Sequence, residues 1–150
     1  MLRDDGWVVH VTVTTTAATW IDTTTIGRVA GGSVRVAQRG PDEPKDNCRA
    51  DVVVAVPATF NTVNKWATGI NDTAALAVLQ SALGEGTPIL AYPYAKETLT
   101  SHPAYRASVQ LLEQCGVRFA PLRQQDPASP THSIDWTDVV AAMTAAATSS

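Results

Sequence analysis

Three polar stretches, TTTAATW (residues 14–20), PATFNT (57–62) and YPYAKETLTSHPAY (92–105), each follow an apolar run and carry the side chains best suited to hold a ligand. Thr14, Thr15 and Thr16 stand at the start of a helix-compatible run. There, hydroxyls and the orphan N–H groups of a first turn favour an anion such as phosphate. N-capping by one threonine explains the same residues. In PATFNT, Pro57 brings no backbone donor, Ala58 permits close approach, and Thr59, Asn61 and Thr62 offer donors and acceptors together. Such a loop suits the edge of a planar, amide-rich ring; a dry turn closed by an N-cap is the alternative. In the third stretch Tyr92, Tyr94 and Tyr105 can stack on a ring and Lys96 can meet an anion. His102, directly before Pro103, reads as a solvated or capping residue in preference to a catalytic base. His10 lies in an apolar run and His132 in a late polar one, and no carboxylate pair, Ser/His/Asp set or GxGxxG order can be assembled around them.

The elements that must position these stretches alternate. WVVHVTV (7–13) reads as a strand, Thr14 to Ile21 as a short helical run, Asp22 to Gly32 as a loop or weak helix, and Ser33 to Ala37 as a short strand. QRGPDEPKDNCR (38–49) reads as an exposed loop. The Val/Ala run Asp51 to Val56 fits a strand covered on both faces, as in parallel sheets. Helices are predicted over Asn61–Thr68 and Asp72–Leu83, the second capped by Asp72, then a strand over Pro88–Tyr92. A helix from Pro103 to Cys115 follows, with Gly116 just past its end, then a strand Val117–Ala120, a proline-rich loop over 121–134, and an alanine-rich helix with a frayed tail over 135–150. Strands alternating with helices predict one α/β domain over residues 1–150, a Rossmann-like (flavodoxin-like) three-layer fold whose mainly parallel sheet is flanked by helices. In such sheets ligands bind outside the carboxyl ends of the strands, which is where the three polar stretches fall.

Charge narrows the classes. A net charge of −3 with scattered Lys and Arg gives no basic footprint for nucleic acid. No apolar stretch nears the roughly 18 residues of a membrane span, and MLRDDGW lacks the apolar core of a signal peptide. Cys48 and Cys115 have no metal-site spacing and read as free thiols of a cytoplasmic protein.

ADVVVAV followed by PATFNTVNKWATGINDTAAL resembles the flavoprotein family of homo-oligomeric flavin-containing cysteine decarboxylases, the phosphopantothenoylcysteine decarboxylase-like proteins. Ala50, Asp51, Pro57, Ala58, Thr59, Asn61, Thr62, Ala67, Gly69, Ile70 and Asp72 stand where that family's AD strand, PASANT-like loop and A-x-G-I-x-D stretch have theirs. VTVTTTAATWI and HPAYRASVQLLEQCGVRF extend the likeness over roughly residues 6 to 121. The resemblance implies FMN as cofactor, with Thr14 helping to hold its phosphate and Pro57, Ala58, Thr59, Asn61 and Thr62 lining the isoalloxazine ring. It also implies a trimer-based homo-oligomer, in which Phe60 and Trp66 face either a neighbouring chain or the chain's own core, and a small-molecule or peptide thiol substrate.

The family's catalytic histidine has no counterpart in PDEPKDNCR, and its P-x-M-N motif is replaced by Pro93-Tyr94-Ala95-Lys96. The decarboxylation is therefore not carried over from the resemblance. An enzyme of unnamed reaction, with Lys96 or His102 as a relocated acid or base, and a non-catalytic flavin-binding or regulatory subunit both stand. Family members also begin with a strand and a glycine-bearing loop ahead of the segment matching Gly6, so an N-terminally incomplete domain is expected here. The strands near Val11 and Val54 would then each face an unpaired row of backbone groups.

Overall fold

The computed structural model describes residues 2–40, 42–43, 49–121 and 134–148. The chain groups into two compact units, Met1–Asn47 with Asn71–Val78, and Cys48–Ile70 with Leu79–Ser150.

In the first unit α1 (Thr15–Ala18) is a single turn opened by Thr14, and α2 (Thr23–Ala30) opens at Asp22. The Asp22 Oδ1 accepts the Thr24 and Thr25 N–H groups at 3.0 and 3.1 Å. Hydrogen bonds from the Thr25 hydroxyl and N–H hold this carboxyl below the usual carboxylate range. The helix stops at Gly31, whose φ of 81° is a left-handed conformation open to a residue without Cβ. Residues 22–32, open between loop and weak helix on sequence grounds, thus form a capped helix.

The strands expected over Trp7–Val13 and Ser33–Ala37 are reduced to one parallel bridge between Thr12 and Arg35. It is closed by Arg35 N–H to Val11 O and Val13 N–H to Arg35 O, both 2.9 Å. Exposure over residues 7–11 alternates as in a strand, with Trp7, Val9 and Val11 half-buried and Val8 and His10 exposed, but that bridge is the only pairing these segments make among the described residues.

In the second unit β1 (Val53–Ala58), β2 (Ile89–Pro93) and β3 (Arg118–Phe119) form, among the described residues, one parallel sheet in the order β1-β2-β3. β1 pairs Val53 with Ile89, Val54 with Leu90 and Ala55 with Ala91, then slips before Ala58 pairs with Pro93. It runs two residues past the expected Val56. Pro57, which has no N–H for a ladder and follows Val56 through a cis peptide, sits in that irregular step. The prediction of a strand covered on both faces is met in part: Val53 to Val56 are half-buried on both faces of β1, at the edge of the described sheet, whereas Ile89, Leu90 and Ala91 of the central β2 are buried.

α3 (Phe60–Ala67) follows β1, and α4 (Ala74–Glu85) runs from the first unit, up to Val78, into the second. Thr73 caps α4 in place of Asp72. Its Oγ1 accepts the Leu76 N–H at 3.1 Å, because a cap must stand immediately before the first helical residue and the apolar run starts at Ala74. A single-turn helix that the sequence did not announce, α5 (Glu97–Thr100), precedes α6 (Pro103–Gln114), which has His102 at its N-cap and Pro103 in its first turn. Gly116, at φ 92°, ends α6, as the sequence predicted. α7 (Trp136–Ala147) is capped by Asp135. The loop expected over 121–134 lies, apart from its two end residues, outside the described residues. No helix among the described residues is long and apolar enough to cross a membrane.

Candidate functional site

The carboxyl end of β1 delivers the chain into the Pro57–Thr62 turn. Pro57 and Asn61 are exposed, Ala58 is buried, and Thr59 and Thr62 are half-buried. Thr59 is the N-cap of α3: its Oγ1 accepts the Thr62 N–H at 3.3 Å and lies 3.0 Å from the Thr62 Oγ1. Much of the polarity of PATFNT therefore serves to close the helix, in line with the turn-and-cap reading. It does not exhaust the turn. Two hydroxyls share one hydrogen between them, so one O–H remains to donate outward. The Asn61 carboxamide has no hydrogen bond among the described residues and stands in solvent. A carboxamide beside a hydroxyl donor fits a flat heteroaromatic ring that carries both carbonyl oxygens and an N–H, which is the donor and acceptor set of a flavin's pyrimidine edge.

The loop after β2 is tied to the same place. The Tyr94 N–H donates to the Ala58 carbonyl at 3.0 Å, so PATFNT and YPYAK begin side by side. Tyr92 and Tyr94 are half-buried and Lys96 is exposed. Burial, then the negative charge of Asp138, pushes the Tyr92 hydroxyl above its ordinary value.

Tyr105 is not open for a ligand to stack on. It is a buried residue of α6 lying nearly parallel to Phe60, with ring centroids 5.8 Å apart and planes 12° apart. Its hydroxyl is buried with no partner among the described residues, and burial pushes it up. Phe60 also meets the edge of His102, 6.0 Å between centroids at 86°. Trp66 is 1% exposed and belongs to the core of its own chain. The Nδ1 of His102 accepts the Ala104 N–H at 3.1 Å, so this histidine caps α6.

Thr14 lies in the other unit, where its Oγ1 accepts the Ala17 N–H at 3.1 Å and caps a helix of four residues. Its own O–H is left to donate. His10 and Cys115 are exposed, and no cluster of metal-binding side chains occurs among the described residues. Two residues that the sequence did not single out stand beside the turn: Ser108 of α6 donates its hydroxyl to the Asn64 Oδ1 of α3 at 2.8 Å. Their signal was the i, i+4 spacing of Phe60 and Asn64 set against His102, Tyr105 and Ser108 at every third residue.

A parallel sheet flanked by helices, with polar turns at its strand carboxyl ends, defines an α/β protein, and sheets of this kind bind ligands at those ends. The chain belongs to the Flavoprotein family, whose model matches residues 1–148. That membership supports a flavin as the class of cofactor. Over 87 residues the chain is 34% identical to the coenzyme A biosynthesis bifunctional protein CoaBC of Thermococcus kodakarensis, a match that takes in 58% of this chain and 21% of that protein. The chain thus spans well under two thirds of this curated relative. Among solved structures it resembles two FMN-dependent cysteine decarboxylases. One is TvaF from thioviridamide biosynthesis, with a TM-score of 0.74, 22% identity, and 93% of this chain and 79% of that one covered. The other is SpaF, with a TM-score of 0.74, 23% identity, and 97% and 85% covered. The cypemycin decarboxylase CypD matches with a TM-score of 0.65 at 28% identity over 79% of this chain and 68% of its own. These likenesses establish the fold.

Proposed function

We propose that this chain is an FMN-binding protein that holds the isoalloxazine edge at Pro57–Thr62. The observation that carries the reading is the Asn61 carboxamide, exposed at the end of β1 and without a hydrogen bond among the described residues, beside a threonine pair with one hydroxyl hydrogen to give. Pro57 and Ala58 bring the backbone up to the ring. FMN in place of other flavins is supported by the FMN-dependent proteins whose fold it resembles. When bound, flavin supplies reversible two-electron chemistry; the residues named here bind and orient it. The substrate we infer is a small-molecule or peptide thiol, handled in the cytoplasm by a trimer-based assembly of identical chains.

A second reading, a flavin-binding or regulatory subunit without turnover, is favoured by one observation: the single lone pair with which His102 could take a proton is engaged in capping α6. The purified full chain tests both. Titration with FMN, followed by quenching of flavin fluorescence, should saturate, and Asn61→Ala should weaken binding about tenfold, the worth of roughly one good hydrogen bond, while leaving the melting temperature unchanged. A wild-type chain that leaves FMN fluorescence unaltered refutes both readings; loaded protein that turns over no cysteine-containing acid selects the second.

A further inference from the structure

Beyond the turn itself, α3 and α6 share one directional side-chain hydrogen bond among the described residues, and it is part-buried. α3 meets α6 along a strip in which Phe60 stacks on Tyr105 and touches His102, and one helical turn further Asn64 accepts the Ser108 hydroxyl at 2.8 Å. Ser108 is 7% exposed, the one buried polar residue in the described core. Stacked rings and apolar side chains tolerate a slide or roll of a fraction of an ångström, because dispersion and area burial are non-directional. A buried hydroxyl facing a carboxamide oxygen is satisfied over a narrow range of distance and angle, and it is costly to leave unmade. Asn64 lies two residues beyond Thr62 and three beyond Asn61, on the same short helix, so any roll of α3 re-aims the groups at its N-terminus.

We propose that the Asn64–Ser108 hydrogen bond is a positioning device, through which α6 fixes where Asn61 and the Thr59–Thr62 hydroxyl pair are presented to the bound ring. Asn64 and Ser108 act through α3 and touch no ligand themselves. This rests on the FMN reading above, and the experiment separates the two.

The test is a double-mutant cycle on the full chain with Ser108→Ala, Asn64→Ala and the pair, reading FMN affinity, the vibronic structure of the flavin's long-wavelength band, and the melting temperature without ligand. Each single change should weaken FMN binding about fivefold and blur the band, which reports how uniformly the ring is held. The double change should bind no worse than either single one, since both remove one interaction. Folded single variants with wild-type affinity and an unaltered band overturn the proposal, as do losses that simply multiply in the double variant. Should a single variant fail to fold, Ser108→Cys, similar in size but a poor donor, takes its place and must show the same blurred band. A wild-type chain that binds no FMN refutes the cofactor reading; a wild-type chain that binds it, with variants that bind equally well, refutes the positioning role alone.

Discussion

Removing the Thr59 hydroxyl separates its two duties. In Thr59→Ala the N-cap of α3 loses its side-chain acceptor for the Thr62 N–H, and the Thr62 hydroxyl loses its 3.0 Å partner. The cap is worth about 1 kcal/mol, within a range of about 0.5–2. The Thr62 hydroxyl is half-buried, so water replaces most of the second bond and adds a few tenths. A loss of about 1–1.5 kcal/mol lowers the folding constant about five- to twelvefold and the melting temperature by about 3–5 °C for a chain of this size. Thr59→Ser keeps both bonds and should stay within about 0.3 kcal/mol of wild type. Urea denaturation followed by tryptophan fluorescence measures both variants, with FMN titration alongside. If the alanine variant is as stable as wild type, or the serine variant falls as far as the alanine one, Thr59 is not the cap its geometry describes. If stability holds while FMN affinity drops, its oxygen faces the ligand and the assignment of its bonds is wrong.

Four further outcomes follow from other parts of the chain. Gly27→Ala should cost about 1–3 kcal/mol in a denaturation assay, since a Cβ there meets the Gly32 carbonyl oxygen, a backbone atom, at 2.7 Å. Tyr105→Phe should be neutral or stabilising by about 1 kcal/mol at neutral pH, because the hydroxyl it removes is buried without a partner. Burial raises both Tyr105 and Tyr92 above their ordinary value near 10 in the folded chain, so the folded state holds protons that the unfolded state has lost; stability should fall as pH rises above about 10, and Tyr105→Phe should flatten that fall in a pH series of melting temperatures. His102→Ala should lower stability by about 1 kcal/mol, whereas His102→Asn, which can accept the same Ala104 N–H, should not; equal losses in the two would show that the ring's contact with Phe60 outweighs the cap.

What the sequence revealed of the fold follows the strength of its local signals. α6 was legible because Pro103 and Gly116 punctuate it at both ends, and β2 because its apolar run is buried. The start of β1 was legible and its end was not, since a proline inside a strand normally argues against one and here occupies a slip in the register. α5 was hidden because four residues carry no period, and the segments around Val11 and Val34 alternate as strands do yet gain only one bridge. In the site, the capping roles of Thr14 and Thr59 were visible as one of two readings, and a linear string cannot choose between them. Tyr105 was taken for a ligand platform because its type suits one; only its stack on Phe60, 45 residues earlier, shows that both are structural. The Asn64–Ser108 contact joins residues 44 apart; the helical spacings mark the two faces but not which residues meet across them.

Capping and ligand binding are not rivals at these threonines, because a hydroxyl accepts with its oxygen and donates with its hydrogen. Thr14 gives one lone pair to the Ala17 N–H and Thr59 gives one to the Thr62 N–H, and each bond turns oxygen toward the helix. What can remain outward is an O–H, the polarity that a phosphate oxygen or a ring carbonyl requires. The same accounting runs the other way at His102. Its Nδ1 accepts the Ala104 N–H, so the proton of the neutral ring sits on Nε2, and the imidazole presents a donor and no free lone pair. Through Nε2 it can hold an acceptor. At the end of β1, Thr59, Asn61 and Thr62 thus offer neutral donors and acceptors, and no base stands among these three. That set of groups fits retention of a flavin better than proton abstraction from a substrate, and it is why the binding reading stands ahead of any named reaction.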